Sequence, residues 1–150
     1  MTYSKLLVAT DLSEEANAAL RSACELADRD DAELTLLHVI DLSALLPTGP
    51  IFMPPKKEEL LREEVRTRVT RALQHLRQTE IPTGLLCETV VEESESVPDT
   101  ICEFANAHGH EAIIVGTHGR SGFSHLLIGS VAERVIRKSE VPVMVVPISH

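Results

Sequence analysis

The chain has 150 residues, 23 acidic against 14 basic side chains, a formal net charge of −9, 43% hydrophobic and 3% aromatic content, and no Trp. That length and apolar content fit one folded domain over residues 1–150 and exclude a disordered chain, while the acidic balance and scarcity of aromatics argue against nucleic acid as a partner. The apolar runs are too short to span a bilayer, the opening residues lack a signal-peptide pattern, and three scattered cysteines without a CxxC pair fit small buried residues in a reducing compartment, so a cytoplasmic protein is expected.

KLLVAT (5–10) is a short, nearly continuous apolar run, the pattern of a strand buried on both faces. The stretch 11–30 follows with Ala16, Ala19, Leu20, Ala23, Leu26 and Ala27 in one helical stripe. AELTLLHVI (32–40) predicts a second buried strand. Residues 41–56, with four prolines, break the pattern and read as a long loop: a lid, a partner contact or simply a mobile connection. Residues 56–79 are helical, with Leu61, Val65, Val69, Leu73 and Leu76 on one face and a solvated Arg/Glu face opposite. LLCETVV (85–91) is the third strand, 96–108 a helix through Val97, Ile101, Phe104 and Ala105, EAIIVG (111–116) the fourth strand, 129–139 the last helix and PVMVV (142–146) the fifth strand. Strands alternating with helices imply a parallel sheet with right-handed crossovers and helices on both faces.

In such a sheet ligands bind outside the carboxyl ends of the strands. Strand one ends in Ala9-Thr10-Asp11, strand two in His38-Val39 and strand four in Val115-Gly116; Gly116, Gly119, Gly122 and Gly129, four of seven glycines, gather just ahead of the last helix. Glycines there can take φ > 0 and turn backbone N–H groups inward as an anion nest, and Gly129-Ser130 opens a helix whose dipole favours phosphate. Arg120 adds a fork suited to phosphate oxygens. Each residue also has a plainer role: Ser130 and Asp11 both begin capping-box patterns, Gly116 can merely end its strand, and Val39 can be core.

Gly116-x-x-Gly119, nine residues and then Gly129-Ser130 resembles the G-2x-G-9x-G-(S/T) ATP motif of the universal stress protein family. VATDLSEEA resembles the family's first strand and D-x-S turn, LLHVI its second strand, and GSVAERVIRKSEVPVMVVP its last helix and strand, so the likeness runs along the whole chain. The resemblance implies an α/β, three-layer, Rossmann-like (adenine-nucleotide α-hydrolase-like) fold, with five parallel strands in the order 3-2-1-4-5 and four helices. It also implies an ATP site, with Mg²⁺ accompanying the nucleotide. Asp11 and the backbone around Ala9 and Thr10 would meet the nucleoside, and the Val39 main chain would hold adenine. Val115 and Gly116 would line the nucleoside side, and His118, Gly119, Arg120, Gly129, Ser130 and Val131 would take ribose and phosphates.

Two departures weigh against tight phosphate binding. Where the family has a glycine after strand three, this chain has EESESVP (92–98), which brings Glu92, Glu93 and Glu95 towards the same edge, where they weaken phosphate binding unless a divalent ion intervenes or they point outward. His125 stands where many relatives have arginine. His108 and His110 lack a third ligand and read as solvated, and no nucleophile elbow supports a hydrolase triad of Asp11, His118 and Ser121. With no catalytic group or metal ligand in evidence, a binding protein, a stress-response regulator or sensor, is expected. The alternatives are an interaction module that binds no nucleotide and a slow phosphoryl-transfer enzyme. The apolar last strand suits a sheet edge, and the resemblance implies a homodimer formed there through Val141, Val143, Met144, Val145 and Val146.

Overall fold

A computed structural model describes residues 1–117 and 128–147. Five strands, β1 (Lys5–Ala9), β2 (Glu33–Asp41), β3 (Cys87–Ser94), β4 (Ala112–Gly116) and β5 (Val143–Val146), form one parallel sheet in the order β3-β2-β1-β4-β5. Helices α1 (Ala16–Asp30) and α3 (Pro55–Glu80) cover one face, and α4 (Val97–Ala107) and α5 (Ser130–Lys138) the other.

Alternation along the strands divides the core in two. Leu6, Val8, Leu34, Leu36 and Ile114 pack with Leu20, Ala23, Ala27 and Leu73 on the α1/α3 side. Leu7, Leu37, Val39, Ile113 and Val115 pack with Ile101, Phe104 and Val135 on the α4/α5 side. Central strands apolar on both faces are what a sheet sandwiched between helix layers requires, and each fully buried Leu contributes about 2 kcal/mol. The alanine stripe of α1 lets its backbone lie close to the sheet; the helix ends at Asp31, whose left-handed backbone (φ 55°) turns its N–H onto the Ala27 carbonyl. Burial pushes the Cys24 and Cys87 thiols up to about 11, which leaves them inert packing groups.

Three expectations need correction. The 41–56 segment is not loop throughout: β2 runs on to Asp41, whose Oδ1 accepts from Ser43 N at 3.0 Å and caps a one-turn helix, α2 (Leu42–Leu45), before an irregular stretch in which Ile51 and Phe52 are exposed. Strand β3 continues through Glu92 and Glu93 to Ser94, held in register by Val39, Ile40 and Asp41 of β2. His110 is not solvated: it is 3% exposed, with Nε2 on Thr35 Oγ1, because it lies under the Phe104 ring at the approach to β4.

Candidate functional site

Because β1 leads outward to β2 in one direction while the chain returns to β4 on the other side of β1, strand order reverses between β1 and β4. A cleft of about 620 Å³, within the usual range for small-molecule sites, opens there at the carboxyl ends of β1, β2 and β4. It is lined by residues of both core layers: Leu12, Ile40, Leu45, Val65 and Val69 towards α1 and α3, and Val39, Val97, Ile101, Val115 and Ala132 towards α4 and α5.

All nine described residues of the expected set, Ala9, Thr10, Asp11, Val39, Val115, Gly116, Gly129, Ser130 and Val131, line this one cleft. His118, Gly119 and Arg120 lie outside the described residues, as do Ser121, Gly122 and His125. The Gly129 N–H donates to the Thr117 carbonyl, so the end of β4 meets the start of α5. Gly129 is the N-cap of α5 with φ −63°, and Gly116 is not among the described residues with positive φ. Neither therefore uses the left-handed freedom expected of it; what each contributes is the absence of a side chain. The first backbone bond inside α5 runs from Glu133 N to the Gly129 carbonyl, which leaves the N–H groups of Ser130, Val131 and Ala132 at the cleft without a partner inside the helix. Ser130 is the first helical residue and does not cap the helix.

Asp11 does not cap α1 either. Its Oδ1 accepts from both the backbone N–H and the hydroxyl of Ser13, and the Ser13 hydroxyl in turn accepts from Ala16 N at 3.2 Å, where α1 begins. The carboxylate is thus fixed at the mouth of the cleft by its own turn. Val39 is placed by register. The Leu37 carbonyl accepts the last bond from β1, at Thr10 N, and two residues on Val39 directs its N–H and C=O to the same side, beyond the point where β1 ends.

The glutamates after strand three do not reach this site. Among the described residues Asp11 and Asp41 are the carboxylates that line the cleft. Glu93 is turned towards α3, where Arg62 Nε at 3.2 Å and Arg66 at 3.3 Å pair with it. Leu12, His38, Asp41 and Thr117 also line the cleft and were not anticipated as site residues. A signal existed for two of them: Leu12 sits between the Asp and Ser of the first turn, and His38 precedes Val39 at the end of β2. Leu12 has φ 68°, a left-handed conformation uncommon for a bulky side chain.

A parallel α/β sheet with helices on both faces, a cleft at its switch point and a helix N-terminus in that cleft defines a Rossmann-like protein. The family model described as "Universal stress protein family" matches residues 2–147. Universal stress protein YxiE of Bacillus subtilis (strain 168) is 32% identical over 149 residues, covering 96% of this chain and 99% of its own. Among solved structures, that of MJ0577 from Methanocaldococcus jannaschii aligns with a TM-score of 0.82 at 27% identity, covering 100% of this chain and 99% of the other. A universal stress protein from Archaeoglobus fulgidus, solved in complex with dAMP, aligns with a TM-score of 0.61 at 26% identity, over 97% of this chain and 99% of its own. The chain belongs to the universal stress protein family.

Proposed function

We propose that this chain, as one domain, binds an adenine nucleotide, ATP with Mg²⁺, in the switch-point cleft and acts as a cytoplasmic, homodimeric stress-response regulator or sensor. The observation that carries the reading is the convergence of Asp11, Val39, Gly116 and the N-terminus of α5 on one cleft from three separate connections. The N–H groups of Ser130, Val131 and Ala132, which have no partner inside the helix, suit phosphate oxygens, the Asp11 carboxylate suits ribose hydroxyl donors, and the backbone edge at Val39 suits the paired donor and acceptor of adenine. The Archaeoglobus relative, solved with dAMP, supports the adenine nucleotide class. His118, Gly119 and Arg120 complete the phosphate side in this reading.

Among the described residues no three His, Cys, Asp or Glu side chains come close enough together to hold a metal. Mg²⁺ in this reading enters with the triphosphate and keeps several of its waters. Glu92, Glu93 and Glu95 are not among the residues that line the cleft, and Glu93 pairs with Arg62 and Arg66, which supports phosphate binding there. The homodimer is supported by β5 as an edge strand whose Met144 is 41% exposed. No helix among the described residues is long and apolar enough to cross a membrane.

Isothermal titration with ATP and Mg²⁺, together with mass spectrometry of small molecules that co-purify, tests the proposal. Saturable binding at one site per chain is expected. A flat trace at millimolar ATP, with no nucleotide carried through purification, rules the reading out.

A further inference from the structure

The turn that carries Asp11 is strained and pinned. Leu12 holds φ 68°, and its N–H donates to Thr10 Oγ1 at 3.0 Å. The Thr10 N–H is spent on the Leu37 carbonyl at 2.9 Å, the last rung between β1 and β2. The Thr10 carbonyl, which belongs to the same peptide group as Asp11 N, accepts from His38 Nδ1 at 2.8 Å. A carbonyl can only accept, so Nδ1 carries the proton in this bond. His38 comes from the neighbouring strand and is separated from Thr10 by 28 residues; both residues line the cleft.

We infer that His38 is a positioning residue, whose Nδ1–H on the Thr10 carbonyl fixes the Thr10–Ser13 turn and so aims the Asp11 carboxylate into the cleft. The two peptide groups that flank the Thr10 Cα are each held, Ala9–Thr10 through its N–H on Leu37 and Thr10–Asp11 through its carbonyl on His38, which restrains both backbone torsions of Thr10. The unfavourable backbone of Leu12 is thereby retained instead of relaxing. The inference deepens the nucleotide reading and rests on it for the role of Asp11. The pinning itself uses only groups of this chain.

The geometry gives a signature that a general packing role would not. The amide nitrogen of Asn, bonded to Cγ, occupies the place of Nδ1, whereas that of Gln lies one bond further out, at the reach of Nε2. His38→Asn, His38→Gln and His38→Ala are therefore compared by amide hydrogen exchange of Leu12 and Ser13 in the nucleotide-free protein, and by isothermal titration with ATP and Mg²⁺. The wild type and His38→Asn are expected to protect the Leu12 amide and bind ATP alike. His38→Gln and His38→Ala are expected to exchange about tenfold faster there and bind ATP roughly tenfold more weakly, the loss of one hydrogen bond of ordinary strength. Equal exchange in all four proteins, or protection by Gln but not Asn, overturns the pin. Faster exchange with unchanged ATP affinity overturns its link to the ligand. Absence of ATP binding by the wild type removes the nucleotide reading, while the exchange data still decide whether His38 holds the turn. If His38→Ala does not fold, the Asn/Gln pair carries the comparison alone.

Discussion

His110 Nε2 meets the Thr35 hydroxyl at 2.9 Å, a bond that joins the approach to β4 to the start of β2 on the α4/α5 side of the sheet. The ring is buried beside the rings of Phe104 and His108, and the Lys5 ammonium and the Ala105 carbonyl are the other groups that bear on it. Burial, with a lesser push from the Lys5 charge, lowers the His110 pKa to about 4.

A pH dependence follows from that shift. The unfolded imidazole takes up its proton near 6.5 and the folded one only near 4, so the unfolded state holds more protons in between. The contribution of a neutral His110 to stability is complete above pH 6.5, declines as pH falls towards 4 and is gone below it. Its size is on the order of 3 kcal/mol. Urea unfolding at pH 7.5, 6.0 and 4.5 is expected to show a steeper loss for the wild type than for His110→Gln, whose amide reaches Thr35 but does not titrate. Parallel curves would exclude His110 as the source.

At Leu12 the usual ranking of small residues is expected to invert. Alanine removes the side chain's packing against the α1/α3 core but keeps a Cβ at φ 68°, while glycine removes the packing and the conformational penalty together. Leu12→Gly should thus be more stable than Leu12→Ala by about 1 kcal/mol, read from denaturant midpoints. The opposite order would mean that the turn relaxes freely once the leucine is gone.

The architecture and the residues that meet at the cleft were largely legible in the sequence, for a physical reason. Buried parallel strands such as KLLVAT and EAIIVG cannot alternate, helix faces such as that of Ala16 to Ala27 must, and a parallel sheet has one edge where loops can build a site. What stayed hidden depends on long-range geometry. Nothing local marks Glu93 as turned towards Arg62 and Arg66, 31 and 27 residues earlier. Nothing local marks His110 as buried, since a Gly between two histidines reads as loop until Thr35, 75 residues away in sequence, supplies the partner. The capping patterns at Asp11 and Ser130 misled because they describe only local chain. In the structure α1 begins later, at Ala16, and α5 takes Gly129 as its cap.

Gly129 allows helix stability and ligand binding to be moved in opposite directions. Its φ of −63° and ψ of 157° suit any residue, and aspartate is a better N-cap than glycine, so Gly129→Asp should hold or raise stability by a few tenths of a kcal/mol. The same carboxylate would stand where the proposed phosphates lie, and ATP affinity should fall by more than about tenfold through like-charge repulsion. Thermal unfolding and ATP titration on one preparation check both signs. Unchanged ATP affinity would move the phosphate site away from α5.

The proposed dimer can be tested at the exposed edge of the sheet. Strand β5 pairs with β4 along Val143–Val146 and is the terminal strand on that side, with Met144 on its open surface and Ile136 of α5 also exposed. Across a two-fold axis each strand would lie antiparallel to its copy, so a charge at Met144 would approach its own counterpart and leave water without a partner. Because Met144 is 41% exposed in the single chain, Met144→Lys should alter monomer stability by less than about 1 kcal/mol. A native dimer should shift to monomer on size-exclusion chromatography with light scattering. A variant that stays dimeric at micromolar concentration would place the interface elsewhere, and a wild type that is monomeric at high concentration would dispose of the dimer altogether.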